Sequence, residues 1–162
     1  MADELLSPTD ALAQLSFAVL GMLERRAAQH DLSMVQVRLL GVLRDRTPTM
    51  NELARLMALD KSSVTGLVER AERRGLVLRV PSVTDRRSVL VRLTDVGSEM
   101  VAQAARHFDA DMAGLLSLLP VRDRGVLTGL VSRLLVAYAN QHGVNLFATA
   151  TEAAPGIPAS RQ

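Results

Sequence analysis

The sequence predicts a mainly α-helical fold carrying one small β-hairpin. Three observations carry that prediction. Apolar residues recur at 3.6-residue spacing in six stretches, strand-like alternation occurs only at 76–80 and 88–94, and helix-capping residues stand ahead of the apolar runs. Apolar residues make up 48% of the 162, enough for a sizeable core, but aromatics are 2% and Trp is absent. The core must therefore be aliphatic, built of Leu, Val, Ala and Met.

Taken in order, Ser7-Pro8-Thr9-Asp10 reads as a helix start, with Ser at the cap, Pro at the first position and an acid in the first turn. Leu12, Leu15, Val19, Met22 and Leu23 extend one apolar stripe to about Gln29. His30-Asp31-Leu32 breaks the pattern, and Ser33 is placed to cap a second helix carrying Val35, Val37, Leu39, Leu40 and Leu43. After Thr47-Pro48, Thr49-x-x-Glu52 forms a capping box for a short helix with Leu53, Ala54, Leu56 and Met57. Ala58-Leu59 turns the chain and Asp60 can cap the next helix, so the pair reads as a helix-turn-helix. Gly75 stops that helix, and 81–87 connects the two strands. Thr94-Asp95-x-Gly97 opens a long helix, Pro120 interrupts it, and a last helix runs to His142-Gly143. The remainder, 143–162, is small and Pro-rich and is expected to be largely disordered, with Leu146-Phe147 able to dock.

Charge singles out one segment. Between Lys61 and Arg92 there are eight cations (Lys61, Arg70, Arg73, Arg74, Arg79, Arg86, Arg87, Arg92) against Glu69, Glu72 and Asp85, a net +5. The rest of the chain has 11 cations and 14 acids, a net −3. A basic patch on a mildly acidic body is the footprint of a polyanion-binding surface. On a helical wheel of 61–74, Val64, Leu67, Val68 and Ala71 form one side, while Ser62, Thr65, Gly66, Glu69 and Arg73 lie opposite, with Ser63 and Arg70 on a flank. The outward N-terminal half is small and hydrogen-bonding, so a backbone can approach base edges and phosphates. Lys61 beside the positive end of the helix dipole adds to that attraction. An arginine on the 81–87 loop suits a minor groove. Asp85 opposes such insertion unless it pairs with a neighbouring arginine and aims it.

Other classes find little support. Absence of cysteine excludes a disulfide framework and a thiol switch and fits a cytoplasmic protein. The acidic start MADELLSPTD is unlike a signal peptide, and no run of about 18 apolar residues exists to span a membrane. His30, His107 and His142 sit on helix faces or ends, with no nucleophile triad, phosphate loop or cofactor motif, so neither an enzyme nor a bound cofactor is expected. His107 and Asp111 share a helix face at i,i+4 spacing, which with Glu24 and His30 leaves a metal-responsive protein as an alternative.

The residues Glu52-Leu53-Ala54, Val64…Leu67-Val68-Glu69-Arg70, Arg74-Gly75-Leu76-Val77-x-Arg79, Asp85-Arg86-Arg87-Ser88, Val91-x-Leu93-Thr94 and Gly97 resemble the multiple antibiotic resistance regulator (MarR) family over about 10–142. That resemblance implies a homodimeric winged helix-turn-helix repressor of double-stranded DNA. Its DNA-binding lobe would be 33–93, and its dimerisation helices would lie in 8–32 and 94–142. It implies a recognition helix contacting the major groove through Lys61, Ser62, Ser63, Thr65, Gly66, Arg70 and Arg73. It gives Arg87 to the minor groove, Asp85 to orienting it, and Arg86 to a phosphate. A small phenolic or aromatic acid would release the DNA from a pocket at the lobe junction, where Arg26, His30, Met34, Arg38 and His107 are candidates, although Arg26 and Arg38 fit simple surface or interlobe ion pairs equally. A winged-helix protein-interaction module is the other alternative.

Overall fold

The computed structural model describes residues 6–82 and 88–142. Six helices and one hairpin follow in the order α1 Pro8–Ala28, α2 Met34–Asp45, α3 Met50–Met57, α4 Lys61–Arg73, β1 Val77–Pro81, β2 Val89–Leu93, α5 Asp95–Ser117 and α6 Val121–His142. Five helix starts are chemically explicit. The side chains of Ser7, Ser33, Thr49, Asp60 and Thr94 accept from the backbone N–H of Asp10, Gln36, Glu52, Ser63 and Gly97, satisfying donors that the first helical turn leaves free. Thr49 and Glu52 complete the reciprocal capping box, and Ser33 with Gln36 forms a second one.

Three helices end alike. Leu32, Leu59 and Leu76 donate their N–H to the carbonyls of Ala27, Ala54 and Ala71, and the preceding residues Asp31, Ala58 and Gly75 have φ of +50°, +52° and +69°. Each is a left-handed closure with a leucine just beyond it, folding back towards the core. This closure shifts the first strand by one residue from the expected 76–80. The N–H of Leu76 belongs to the end of α4, so pairing begins with Val77 opposite Leu93 and runs to Pro81 opposite Val89, antiparallel. A further bridge joins Thr49 to Leu90, and Val91 donates to the Pro48 carbonyl, so the start of α3 is tied to the hairpin.

The core lies between α2, α3, α4 and the hairpin. Leu39, Leu53, Met57, Val64, Leu67, Val68 and Val91 are wholly shielded there, and the cluster is aliphatic, as the composition requires. Val64, Leu67, Val68 and Ala71 are the buried face of α4. The long helices are different. In α1, α5 and α6 the buried residues are Ala27, Gly97 and Ala139, while Leu12, Phe17, Val126, Leu130, Leu134 and Tyr138 face outward. No described helix is long and apolar enough to cross a membrane.

Candidate nucleic-acid interface

The buried apolar face of α4 leaves its opposite face outward, with Lys61, Ser62, Ser63, Glu69, Arg70 and Arg73 exposed and Thr65 and Gly66 half-buried. All seven expected helix residues therefore stand on one element, though not as seven free groups. The hydroxyls of Ser62 and Ser63 both donate to the Asp60 carboxylate, which also accepts the Ser63 N–H at 2.9 Å. These donors hold Asp60 well below the usual carboxylate range. The amino end of α4, expected to attract phosphate, thus already holds an anion on one of its N–H groups. Thr65 donates its hydroxyl to the Lys61 carbonyl at 2.8 Å, which occupies its one donor and leaves its oxygen lone pairs and methyl group for a base. The Arg70 guanidinium lies 3.4 Å from where a Cβ on Gly66 would stand, so it packs over the glycine at ordinary contact distance.

Arg79 braces the helix from the hairpin. Its guanidinium pairs with Glu72 at 3.0 Å and points a second nitrogen at the Thr65 carbonyl, 3.4 Å away. Glu72 is thereby neutralised, which leaves Lys61, Arg70 and Arg73 facing outward against Glu69. Arg79, one of the eight cations of the basic segment, thus serves the fold. Asp85, Arg86 and Arg87 lie outside the described residues.

A second feature stands behind this surface. Helices α1, α2 and α5 enclose an open cavity of about 200 Å³ whose polar lining residues are Arg26, His30 and Arg44. Leu40, Val101, Ala104 and Phe108 are among its apolar walls. Of the expected pocket residues, Arg26 and His30 line it and Met34, Arg38 and His107 do not. Arg38 points elsewhere and donates to the Leu56 carbonyl at 3.2 Å, and His107 is exposed. Arg26 is committed to Asp111 through two hydrogen bonds of 2.8 and 2.7 Å, an ion pair that joins α1 to α5 and does not cross to the 33–93 lobe. The pair holds Asp111 below its ordinary range and Arg26 above its own. Asp111 is consequently engaged rather than free for a metal, and among the described residues no three His, Asp or Glu side chains gather as a metal would need. Arg44 was missed by sequence reading, although it follows Val37, Leu40 and Gly41 on one face of α2. Its partner is its exposed neighbour Asp45, at 2.9 Å.

A family model described as the MarR family matches residues 30–88. The homoprotocatechuate degradative operon repressor of Escherichia coli is 32% identical over 105 residues, covering 64% of this chain and 70% of the repressor. The chain belongs to the MarR family. Another match, the HTH-type transcriptional repressor NicR of Pseudomonas putida, is 35% identical over 79 residues, covering 48% of this chain and 50% of NicR. Among the curated relatives it matches, the chain spans about half the length of several, with shares of 50%, 52% and 41%. The structure of NadR in complex with 4-hydroxyphenylacetate superposes with a TM-score of 0.63 at 23% identity, covering 83% of this chain and 96% of that one. The MarR-type winged helix-turn-helix is therefore the fold, with α3 and α4 as the helix pair and β1–β2 as the wing.

Proposed function

We propose that this chain is a transcriptional repressor that binds DNA as a homodimer and releases it when a small aromatic acid enters the α1–α2–α5 cavity. The observation carrying the reading is the outward face of α4, where Lys61, Arg70 and Arg73 project from a helix whose back is locked in the core. Lys61, Ser62, Ser63, Thr65, Gly66, Arg70 and Arg73 would meet the major groove. The sequence resemblance supports Arg87, aimed by Asp85, for the minor groove and Arg86 for a phosphate. Two copies would present two such helices to a pseudo-palindromic operator with half-sites about 34 Å apart. The outward leucines of α1 and α6 support a second copy as their partner.

For the effector, the cavity is smaller than the roughly 300 Å³ at which drug-sized pockets begin, which favours a single ring. Its walls are apolar and its polar members are two arginines and a histidine, so a ring bearing one anionic group is the matching chemistry. The names of two similar proteins point the same way, one a repressor for homoprotocatechuate degradation and the other bound to 4-hydroxyphenylacetate. Arg44 is the cation we assign to the ligand carboxylate, because its exposed pairing with Asp45 is weak and replaceable, whereas Arg26 is held by Asp111 in a two-point, half-buried pair.

The test is anisotropy binding to the DNA upstream of the chain's own gene. Affinity should fall steeply with salt, since displaced counterions drive phosphate binding, and should drop when 4-hydroxyphenylacetate is added. Binding that ignores salt would defeat the repressor reading. DNA binding unchanged by a panel of one-ring aromatic acids would defeat the effector.

A further inference from the structure

The carboxyl end of α4 is held from two sides, and each side continues into a wall of the cavity. On one side, Arg74 donates from Nη1 to the Asp31 carbonyl and from Nη2 to the His30 carbonyl, both at 2.7 Å. The left-handed backbone of Asp31, with φ +50°, presents two successive carbonyls to one guanidinium. His30 and Leu32, flanking Asp31, line the cavity. On the other side, Thr94 donates its hydroxyl to the Gly75 carbonyl at 2.6 Å and its N–H to the Leu76 carbonyl at 3.0 Å. One turn on, Gly97 packs so closely that a Cβ there would come within 2.0 Å of the Leu76 oxygen. Met100 and Val101, the next apolar residues of α5, line the opposite wall.

These two attachments are unequal. The α5 side includes backbone packed directly on backbone, Gly97 against Leu76, with no room to yield. The α1 side rests on one exposed arginine side chain reaching neutral carbonyls 43 and 44 residues away in sequence. A ligand that spreads the cavity would therefore move the α1–α2 loop against a fixed α5, and Arg74 would transmit the movement to α4. We propose that Arg74 is the positioning residue that couples the cavity to the recognition helix. It acts through the loop carbonyls and touches neither ligand nor DNA. This inference rests on the repressor reading above, and the experiment separates the two.

Full-length wild type, Arg74→Met and Arg74→Lys would be compared in three measurements. The first is operator affinity with and without 4-hydroxyphenylacetate, the second calorimetric binding of that probe to DNA-free protein. The third is amide hydrogen exchange at residues 29–33 with and without DNA. In wild type the probe should weaken DNA binding about tenfold or more, within the usual range of coupling between sites. In Arg74→Met the probe should still bind, but the ratio of DNA affinities should shrink towards one, and DNA should no longer slow exchange at 29–33. Arg74→Lys, which can reach one carbonyl at a time, should restore part of both effects. A role confined to stability would lower affinity with the ratio intact. An unchanged ratio together with unchanged exchange protection in Arg74→Met overturns the proposal. If the wild type does not respond to the probe, the effector reading has failed and the exchange measurement alone decides. Protection lost in Arg74→Met and partly regained in Arg74→Lys supports the positioning role of Arg74, and protection retained in both overturns it.

Discussion

The two halves of the molecule treat the same residue types in opposite ways. Leu53 in α3 has no exposed surface, whereas Leu134 in α6 keeps 56% of its surface in contact with solvent. The lobe of α2, α3, α4 and the hairpin closes a core from its own side chains, including Leu39, Leu67 and Val91. The long helices α1, α5 and α6 bury little beyond three small residues. A single chain thus completes one core and leaves another half-built, and contiguous apolar surface of that kind is what association covers. The winged lobe owes its order to its own packing, and the outer helices await the second copy proposed above.

That contrast can be broken at either end. Leu134→Glu should leave the winged lobe folded while converting the protein to a monomer in sedimentation, and should weaken operator binding by about a hundredfold or more because two linked recognition helices become one. A Leu134→Glu protein that remained dimeric with full affinity would remove α6 from the interface. Leu53→Ala should act the other way round. It leaves the outer helices untouched but opens a cavity in the closed core, destabilising folding by about 2–5 kcal/mol in chemical denaturation. A loss well below that would mean the lobe repacks freely and is less self-sufficient than Leu53 suggests.

The joint between the halves supplies the third prediction. Gly97 in α5 faces the Leu76 carbonyl without space for a methyl group, whereas at Gly114, further along α5, a Cβ would meet nothing within 4 Å. Gly97→Ala should destabilise by about 1–3 kcal/mol or more, since backbone must move. Gly114→Ala should instead stabilise by roughly 0.5–1 kcal/mol, as a helix gains when glycine is removed from its interior. Thermal melts of the two variants read out the difference. Equal effects would mean the joint is compliant, and the rigid α5 anchor invoked for Arg74 would be lost with it.

How far each half was legible in the sequence follows from the range of the forces that build it. Ser7, Ser33, Thr49, Asp60 and Thr94 were readable as helix starts because a cap bonds three residues ahead, and all five act so. The apolar face of α4 was readable because helical periodicity is local. The first strand starts one residue later than its alternation suggests because the closure at Leu76 takes the N–H that pairing would use. Contacts between distant segments were the unreadable part. Asp111 suggested a metal ligand beside His107, but Arg26, 85 residues earlier, holds it. Arg74 looked like one more cation of a basic patch, and nothing local ties it to His30 and Asp31. The cavity depends on how α1, α2 and α5 cross, so Arg44 enters it although only its helix face was visible in the sequence.

The smallest effect concerns Asp60, where stability and function pull apart. Its carboxylate caps α4 and is held below the ordinary value of 3.8 mainly by the hydroxyls of Ser62 and Ser63. A carboxylate with a depressed folded value contributes its stabilisation fully above the unfolded value and loses it as pH falls through the folded one. Asp60→Asn keeps a good capping side chain but removes the charge. Its deficit in melting temperature, a few degrees at most by analogy with other caps, should be constant from about pH 7 to pH 5 and should narrow progressively below about pH 4, where Asp60 of the unfolded chain begins to take up protons while the folded carboxylate stays charged. The same variant removes a negative charge next to Lys61 on the proposed DNA face, so operator binding at low salt should tighten. If binding weakens instead, the carboxylate is orienting Ser62 and Ser63 for the bases, and the gain from that order exceeds the repulsion of the phosphates.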